Sequence, residues 1–116
     1  MSLSIDEMKR ILKEMDLKED EIEAYFFILK EKEFDINSLM KNLNIDDKRA
    51  KEIIELFIKK GLIISSSKND RFKCLHPRMG LTNIYKIWEE AQMIEMRRKR
   101  AKIELLVRNL TPIYER

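Results

Sequence analysis

The side chains able to do covalent or acid–base chemistry are scarce in this sequence. It has one cysteine, Cys74, and one histidine, His76. A lone histidine with no companion nucleophile or carboxylate pair does not make a general base, and His76 precedes a proline, where a structural role is expected. Cys74 alternates with Phe72 and reads as a small apolar core residue. A single cysteine also excludes an intramolecular disulfide and a cysteine-rich zinc site. No glycine-rich phosphate loop and no metal-ligand cluster occurs, and the seven methionines look like gap-filling core residues. The sequence therefore predicts no catalytic residue, no metal and no cofactor. What it holds in useful density is cations: Lys48, Arg49 and Lys51; Lys68, Arg71 and Lys73; and Arg97-Arg98-Lys99-Arg100. Clustered Lys and Arg are chemistry suited to a polyanion.

The elements that must position these cations follow from size and composition. A chain of 116 residues fits one domain with an appended element. At 44% hydrophobic and 39% charged residues it is too apolar for disorder. Two Gly and two Pro leave few sharp turns, which favours long helices over a many-stranded sandwich or barrel. No apolar run has membrane-spanning length and no signal-peptide pattern opens the chain, so a cytoplasmic location away from membranes is expected. The richness in Lys, Glu and Ile, with a single Gln, Gln92, fits a thermophile or an AT-rich genome. The net charge of +3 conceals a split. Residues 1–61 carry 12 Lys/Arg and 15 Asp/Glu, and residues 62–116 carry 12 and 6, giving −3 and +6.

Along the chain, Ser4-Ile5-Asp6-Glu7 reads as a capping box, and Ile5, Met8, Ile11, Leu12 and Met15 follow at helical spacing. A second helix is predicted from about 19 to 31, its acidic start matched to the helix dipole. Phe34 is a core anchor, and Asp35 caps a short third helix over about 36–42. Asp46 or Asp47 caps a fourth helix running to about Lys60, with Ala50, Ile53, Ile54, Phe57 and Ile58 inward and Gly61 at the C-cap. Two short helices joined by a tight turn form a helix-turn-helix. Leu62-Ile63-Ile64, a polar tip over 65–70 and Arg71-Phe72-Lys73-Cys74-Leu75 then read as a β-hairpin with an exposed basic side. The predicted fold is mainly α with a small β-hairpin: a winged helix-turn-helix over 1–76, followed over 77–116 by a long C-terminal helix. That helix is predicted from about Leu81 to Leu110, about 45 Å, with Pro112 stopping it. Ile84, Ile87, Trp88, Ala91, Ile94, Ala101 and Leu105 mark one apolar stripe. Ile103, Leu106, Leu110 and Ile113 mark a second that drifts round the helix. Apolar surface left over on a helix needs a partner, and the simplest is a second copy. The predicted dimer interface is Ile84, Ile87, Trp88, Ala91, Ile94, Ala101, Leu105, Leu106 and Leu110.

The segment from Leu17 to Leu75 resembles the winged-helix domain of archaeal TrmB-like transcriptional regulators, within the broader MarR-like group. The resemblance is carried by Leu17-Lys18-Glu19-Asp20-Glu21-Ile22-Glu23-Ala24-Tyr25 and by Ile45 ahead of the recognition helix. Phe57-Ile58-Lys59-Lys60-Gly61-Leu62-Ile63 and Arg71-Phe72-Lys73-Cys74-Leu75-His76-Pro77 carry the rest. It covers about half the chain and lies in hydrophobic spacing more than in an invariant signature. It implies a homodimeric regulator, not an enzyme, whose partner is double-stranded DNA. Large members add a sugar-sensing domain. Ending at Arg116, this sequence resembles the small members, for which sugar sensing is not expected. In MarR-like regulators a pocket beside the long helix holds a small effector; the sequence names none here.

On this reading Lys48, Arg49, Lys51 and Glu52 face the major groove, while Asn37 and Ser38 donate to phosphate. Lys68, Asn69, Arg71 and Lys73 set the wing on the backbone or in the minor groove. The bland alternatives are a solvated helix face paired as Lys48–Glu52 and Lys51–Glu55, and an edge strand kept charged against mispairing. Arg97–Arg100 reads first as a charged stretch of coiled coil facing Glu89, Glu90 or Glu95 of a second chain, and second as an extension of the DNA footprint. Asp46 and Asp47 depart from the family pattern, because carboxylates at the start of the recognition helix repel phosphates. They favour the competing expectation, a winged-helix module that binds protein in a transcription complex. Non-specific chromatin binding is a third expectation.

Overall fold

A computed structural model describes residues 2–67 and 70–116. The chain forms two compact units, Met1–Ile84 and Tyr85–Arg116. The first contains α1 (Ile5–Glu14), α2 (Glu19–Glu31), β1 (Glu33–Asp35), α3 (Ile36–Leu43), α4 (Asp47–Lys60), β2 (Ile63–Ser65), β3 (Arg71–Cys74) and the start of α5 (Pro77–Tyr114). The rest of α5 makes up the second unit. The described helices are not long and apolar enough to cross a membrane.

Local chemistry sets each helix start. At α1 the Ser4 hydroxyl accepts the Glu7 amide at 3.1 Å, and the Glu7 carboxylate accepts the Ser4 amide at 3.1 Å, a reciprocal capping box. At α3 the Asp35 carboxylate accepts the Ser38 amide at 2.8 Å, and the Ser38 hydroxyl donates to the Asp35 carbonyl at 2.8 Å. At α4 Asp46 accepts the Arg49 amide at 2.8 Å, so Asp46 and not Asp47 is the cap. Gly61 closes α4 at φ 77°, in the left-handed region that glycine tolerates.

The expected hairpin has a third strand. Phe34 is buried as expected, but it lies in β1, which pairs antiparallel with β3 so that Phe34 opposes Phe72. The sheet order is β1-β3-β2. The two rings stand 5.7 Å apart, and this contact fastens the wing to the core. Three residues after a helix are too few to show a strand period, which is why the sequence hides β1.

α5 also differs from its expected bounds at both ends. It begins at Pro77, because proline suits the first helical turn, where its missing N–H is no loss. The His76 carbonyl accepts the Met79 and Gly80 amides, both at 2.9 Å, and the His76 Nδ1 accepts the Arg78 amide at 3.0 Å. Pro112 does not stop the helix, which continues to Tyr114. So near the end, proline forfeits one backbone bond, and Glu115 still donates to the Thr111 carbonyl at 3.0 Å.

The core of the first unit is one cluster, with Tyr25, Ile28, Phe34, Ile53, Phe57 and Leu62 near its centre. Ile84 belongs to it and is 5% exposed, so it is not free to join a second copy as the sequence predicts. Gly61 lies beside Asn83, whose amide donates to the Gly61 carbonyl at 2.8 Å. A Cβ at Gly61 would stand 2.7 Å from the Asn83 Nδ2. Gly61→Ala is therefore expected to cost about 1–3 kcal/mol from the left-handed backbone and the lost bond, read as a lowered urea midpoint. An unchanged midpoint would contradict this account of the α4 exit.

Candidate nucleic-acid interface

α4 divides into two faces. Ala50, Ile53, Ile54 and Phe57 are buried, and Asp47, Lys48, Lys51, Glu52, Glu55, Ile58 and Lys59 are exposed. Arg49 falls between and turns inward. Its Nε donates to Asp20 Oδ2 at 2.6 Å, and its Nη2 donates to Asp20 Oδ1 at 2.8 Å and Glu21 Oε2 at 2.9 Å. Glu21 is 4% exposed, and its other oxygen accepts the Lys18 amide at 2.8 Å, capping α2. A carboxylate so buried needs a counter-charge, and Arg49 supplies it. Arg49, expected to read bases, is thus a clamp between the starts of α2 and α4. The sequence signal for this was Glu21 itself, three residues after the Lys18 cap; its Arg partner, 28 residues on, is invisible to local pattern.

The other ion pairs also differ from the expected ones. Lys51 pairs with Asp47 at 2.9 Å, not with Glu55. Glu52 lies 3.8 Å from Arg49 Nη1, not beside Lys48. Asp47 is thereby offset by a neighbouring cation, and Lys48 stays exposed with no ion pair among the described residues. Ser38 is occupied in the α3 capping box and has no hydroxyl proton left for phosphate. Asn37 is exposed.

On the wing, Lys73 is exposed, while Arg71 approaches Asp35 at 3.7 Å. Asp35 is held below its usual pKa chiefly by the Ser38 amide, with Arg71 contributing. Lys68 and Asn69, expected at the wing tip, lie outside the described residues. Between α3, α4 and the wing runs an open groove of about 630 Å³. Ile36, Ile54, Ile58 and Phe72 line it, with Asn37, Lys51, Asp35, Glu55 and Asp70, so acidic groups outnumber basic ones.

The remaining reactive groups are quiet. Burial pushes the Cys74 thiol up, which disfavours the nucleophilic thiolate. Burial likewise pushes the Tyr25 hydroxyl to about 12, keeping it protonated.

In the second unit Ile87, Trp88, Ala91, Ile94, Ala101, Leu105, Leu106 and Leu110 are all exposed, several by about half. Arg97 to Arg100 are exposed as well.

A helix-turn-helix whose second helix is followed by a small antiparallel sheet, with a long terminal helix, defines a winged-helix protein. Residues 12–89 match the family described as sugar-specific transcriptional regulator TrmB, and the chain belongs to that family. Among solved structures the chain is similar to TrmBL2, an archaeal chromatin protein whose structure is reported to show a novel mode of DNA binding. The TM-score is 0.78 at 22% identity, over 95% of this chain and 43% of that one. The chain therefore spans less than half of that protein's length. It is also similar to a possible transcriptional regulator from Methanosarcina mazei Go1, with a TM-score of 0.60 at 16% identity over 81% of this chain and 88% of that one. No curated protein matches.

The clamp has measurable consequences. Arg49→Met would leave Glu21 buried without a cation. The expected loss is about 2–4 kcal/mol by urea unfolding, moderated because Asp20 is 38% exposed. Lys48→Gln, by contrast, should leave stability within about 0.5 kcal/mol. The hydrogen bond from Arg49 holds Asp20 below its ordinary pKa. A carboxylate lowered in the folded state stabilises the fold above its unfolded pKa, near 4, and loses that contribution as pH falls through the folded value. Between pH 7 and pH 3 the unmodified protein should therefore lose more stability than Arg49→Met. Equal losses would remove Asp20 from the acid response.

Proposed function

We propose that the chain is a DNA-binding transcriptional regulator that acts as a homodimer. The observation that carries this reading is the α3–α4–wing arrangement within a chain of the TrmB family. In this reading α4 approaches the major groove with Lys48 and Lys51, and Asn37 contacts phosphate from α3. Lys73 and Arg71 set the wing against the backbone, with Arg71 trading its loose contact to Asp35 for phosphate. Arg49 holds α4 in place and makes no base contact. The winged domain over 1–76 is the DNA module. The helix over 77–116 pairs two copies through Ile87, Trp88, Ala91, Ile94, Ala101, Leu105, Leu106 and Leu110, whose exposure supports that role. Ile84 has no part in it. Two copies would place their α4 helices on half-sites about one or two helical turns apart.

A second reading has its own support. Asp35, Glu55 and Asp70 around an apolar groove favour a winged-helix module that binds a basic protein segment.

Titration against duplex from the chain's own upstream region and against a scrambled duplex, at several salt concentrations, separates the two. The regulator reading expects tighter binding to the upstream duplex, and Lys48→Gln should weaken it several-fold at unchanged stability. Equal affinity for both duplexes would contradict sequence-specific regulation. No binding to either at low salt would favour the protein-binding module.

A further inference from the structure

The formal charge of the chain is unevenly shared between its units. Residues 1–84 carry 16 Lys/Arg and 16 Asp/Glu and are neutral, so the whole net charge of +3 resides in 85–116. Within that unit Arg97, Arg98, Lys99, Arg100 and Lys102 form a cationic run uninterrupted by any acid. All five are exposed, and among the described residues the one ion pair they make is a loose contact of Arg98 with Glu95 at 3.8 Å. Neutralisation by Glu89, Glu90 or Glu95 is expected between copies; within this chain neither Glu89 nor Glu90 has an ion pair among the described residues.

The winged unit pairs several of its cations internally, and others, such as Arg10, Lys32, Lys41 and Arg78, are exposed but spread along a unit that carries as many acids as cations. Arg49 is committed to Asp20 and Glu21, Lys51 to Asp47, and Lys9 to Glu23. A duplex carries a dense line of phosphates and binds where counterions are released, so it favours unpaired exposed cations. Successive residues on a helix are about 100° apart, so Arg97 to Arg100 circle α5 completely. Arg98 falls on the side of Ile94, Ala101 and Leu105, Lys99 falls on the side of Trp88, Leu106 and Leu110, and Arg100 lies on the remaining face with Arg97 at its edge. A second copy covering both sets of apolar positions would leave Arg97 and Arg100 in solvent.

We propose that the Arg97–Lys102 collar of α5 is a second nucleic-acid contact, binding the phosphate backbone of double-stranded DNA without reading its sequence. This rests on the duplex-binding reading above and extends it to a surface outside the winged unit. The collar supplies affinity and salt dependence, and the winged unit supplies selectivity.

The test compares the unmodified chain with the double variant Arg97→Gln, Arg100→Gln. Arg98 and Lys99 are kept so that both apolar faces are undisturbed. A control variant, Arg10→Gln, Lys32→Gln, loses the same charge from exposed sites in the first unit. Binding of upstream and scrambled duplexes is measured by fluorescence anisotropy across a salt series, with helicity and mass in solution checked for each protein. The collar variant should weaken binding to both duplexes by a similar factor, tenfold or more at low salt. Its log–log salt slope should be shallower by about 2 per copy, since each of the two lost phosphate contacts removes about 0.9. The control should keep the slope of the unmodified chain. An unchanged slope in the collar variant beside selective binding by the unmodified chain would overturn the proposal and leave the regulator reading standing. Equal changes in both variants, or a change of mass alone, would also overturn it. Loss of binding in the collar variant, with no preference between duplexes in the unmodified chain, would support the collar and contradict the regulator reading.

Discussion

The guanidinium of Arg49 is the group on which the geometry of α2 and α4 turns. It joins Asp20 and Glu21, at the start of α2, to the first turn of α4. Glu21 is nearly inaccessible and already caps α2 with one oxygen, so its charge is tolerable only with a cation bonded to the other. The Arg49 amide meanwhile satisfies Asp46. Backbone capping and side-chain clamp therefore act through the same residue, and together they fix where the exposed face of α4 points. The cost falls on the candidate interface: α4 gives up its one arginine to the clamp.

That exchange explains how far the sequence was legible. The helices, the Gly61 exit and the winged-helix order were readable, because apolar spacing, caps and turn residues are local signals. β1 was not, because a strand of three residues leaves no period and is defined by its pairing with β3. The α5 bounds were misjudged because the helix was begun only at Leu81 and Pro112 was read as a stop, whereas Pro77 sits in a first turn and Pro112 in a last one. At the candidate site the sequence supplies residue types but not partners. Arg49, Lys51 and Ser38 look alike as surface donors until the clamp, the Asp47 pair and the capping box assign each its place. Ile84 was read onto the outer stripe because its helical phase continues it, and only the packing of the first unit takes it inside.

The same partnering recasts the electrostatics. As bare charges Asp46 and Asp47 would repel phosphates. One serves as a helix cap and the other pairs with Lys51, which reduces their repulsion of a phosphate. On the α4 and wing face the cations left open to a polyanion are chiefly Lys48 and Lys73, beside a groove in which carboxylates outnumber cations. The dense positive charge lies on α5 instead. On the proposed reading the work is divided, with shape and a few cations on the winged unit and bulk attraction on the helix.

The most direct test of this account is to follow the arginine side chains of the isotopically labelled protein by NMR while adding duplex from its upstream region. The account predicts that the Arg49 Nε–H resonance keeps its free-protein position, held by Asp20, while resonances around Lys48, Lys51 and Lys73 shift. If Arg49 Nε–H moved with the duplex while Asp20 titrated as a released carboxylate, Arg49 would be a reader of DNA and the clamp would not be the fixed element described here.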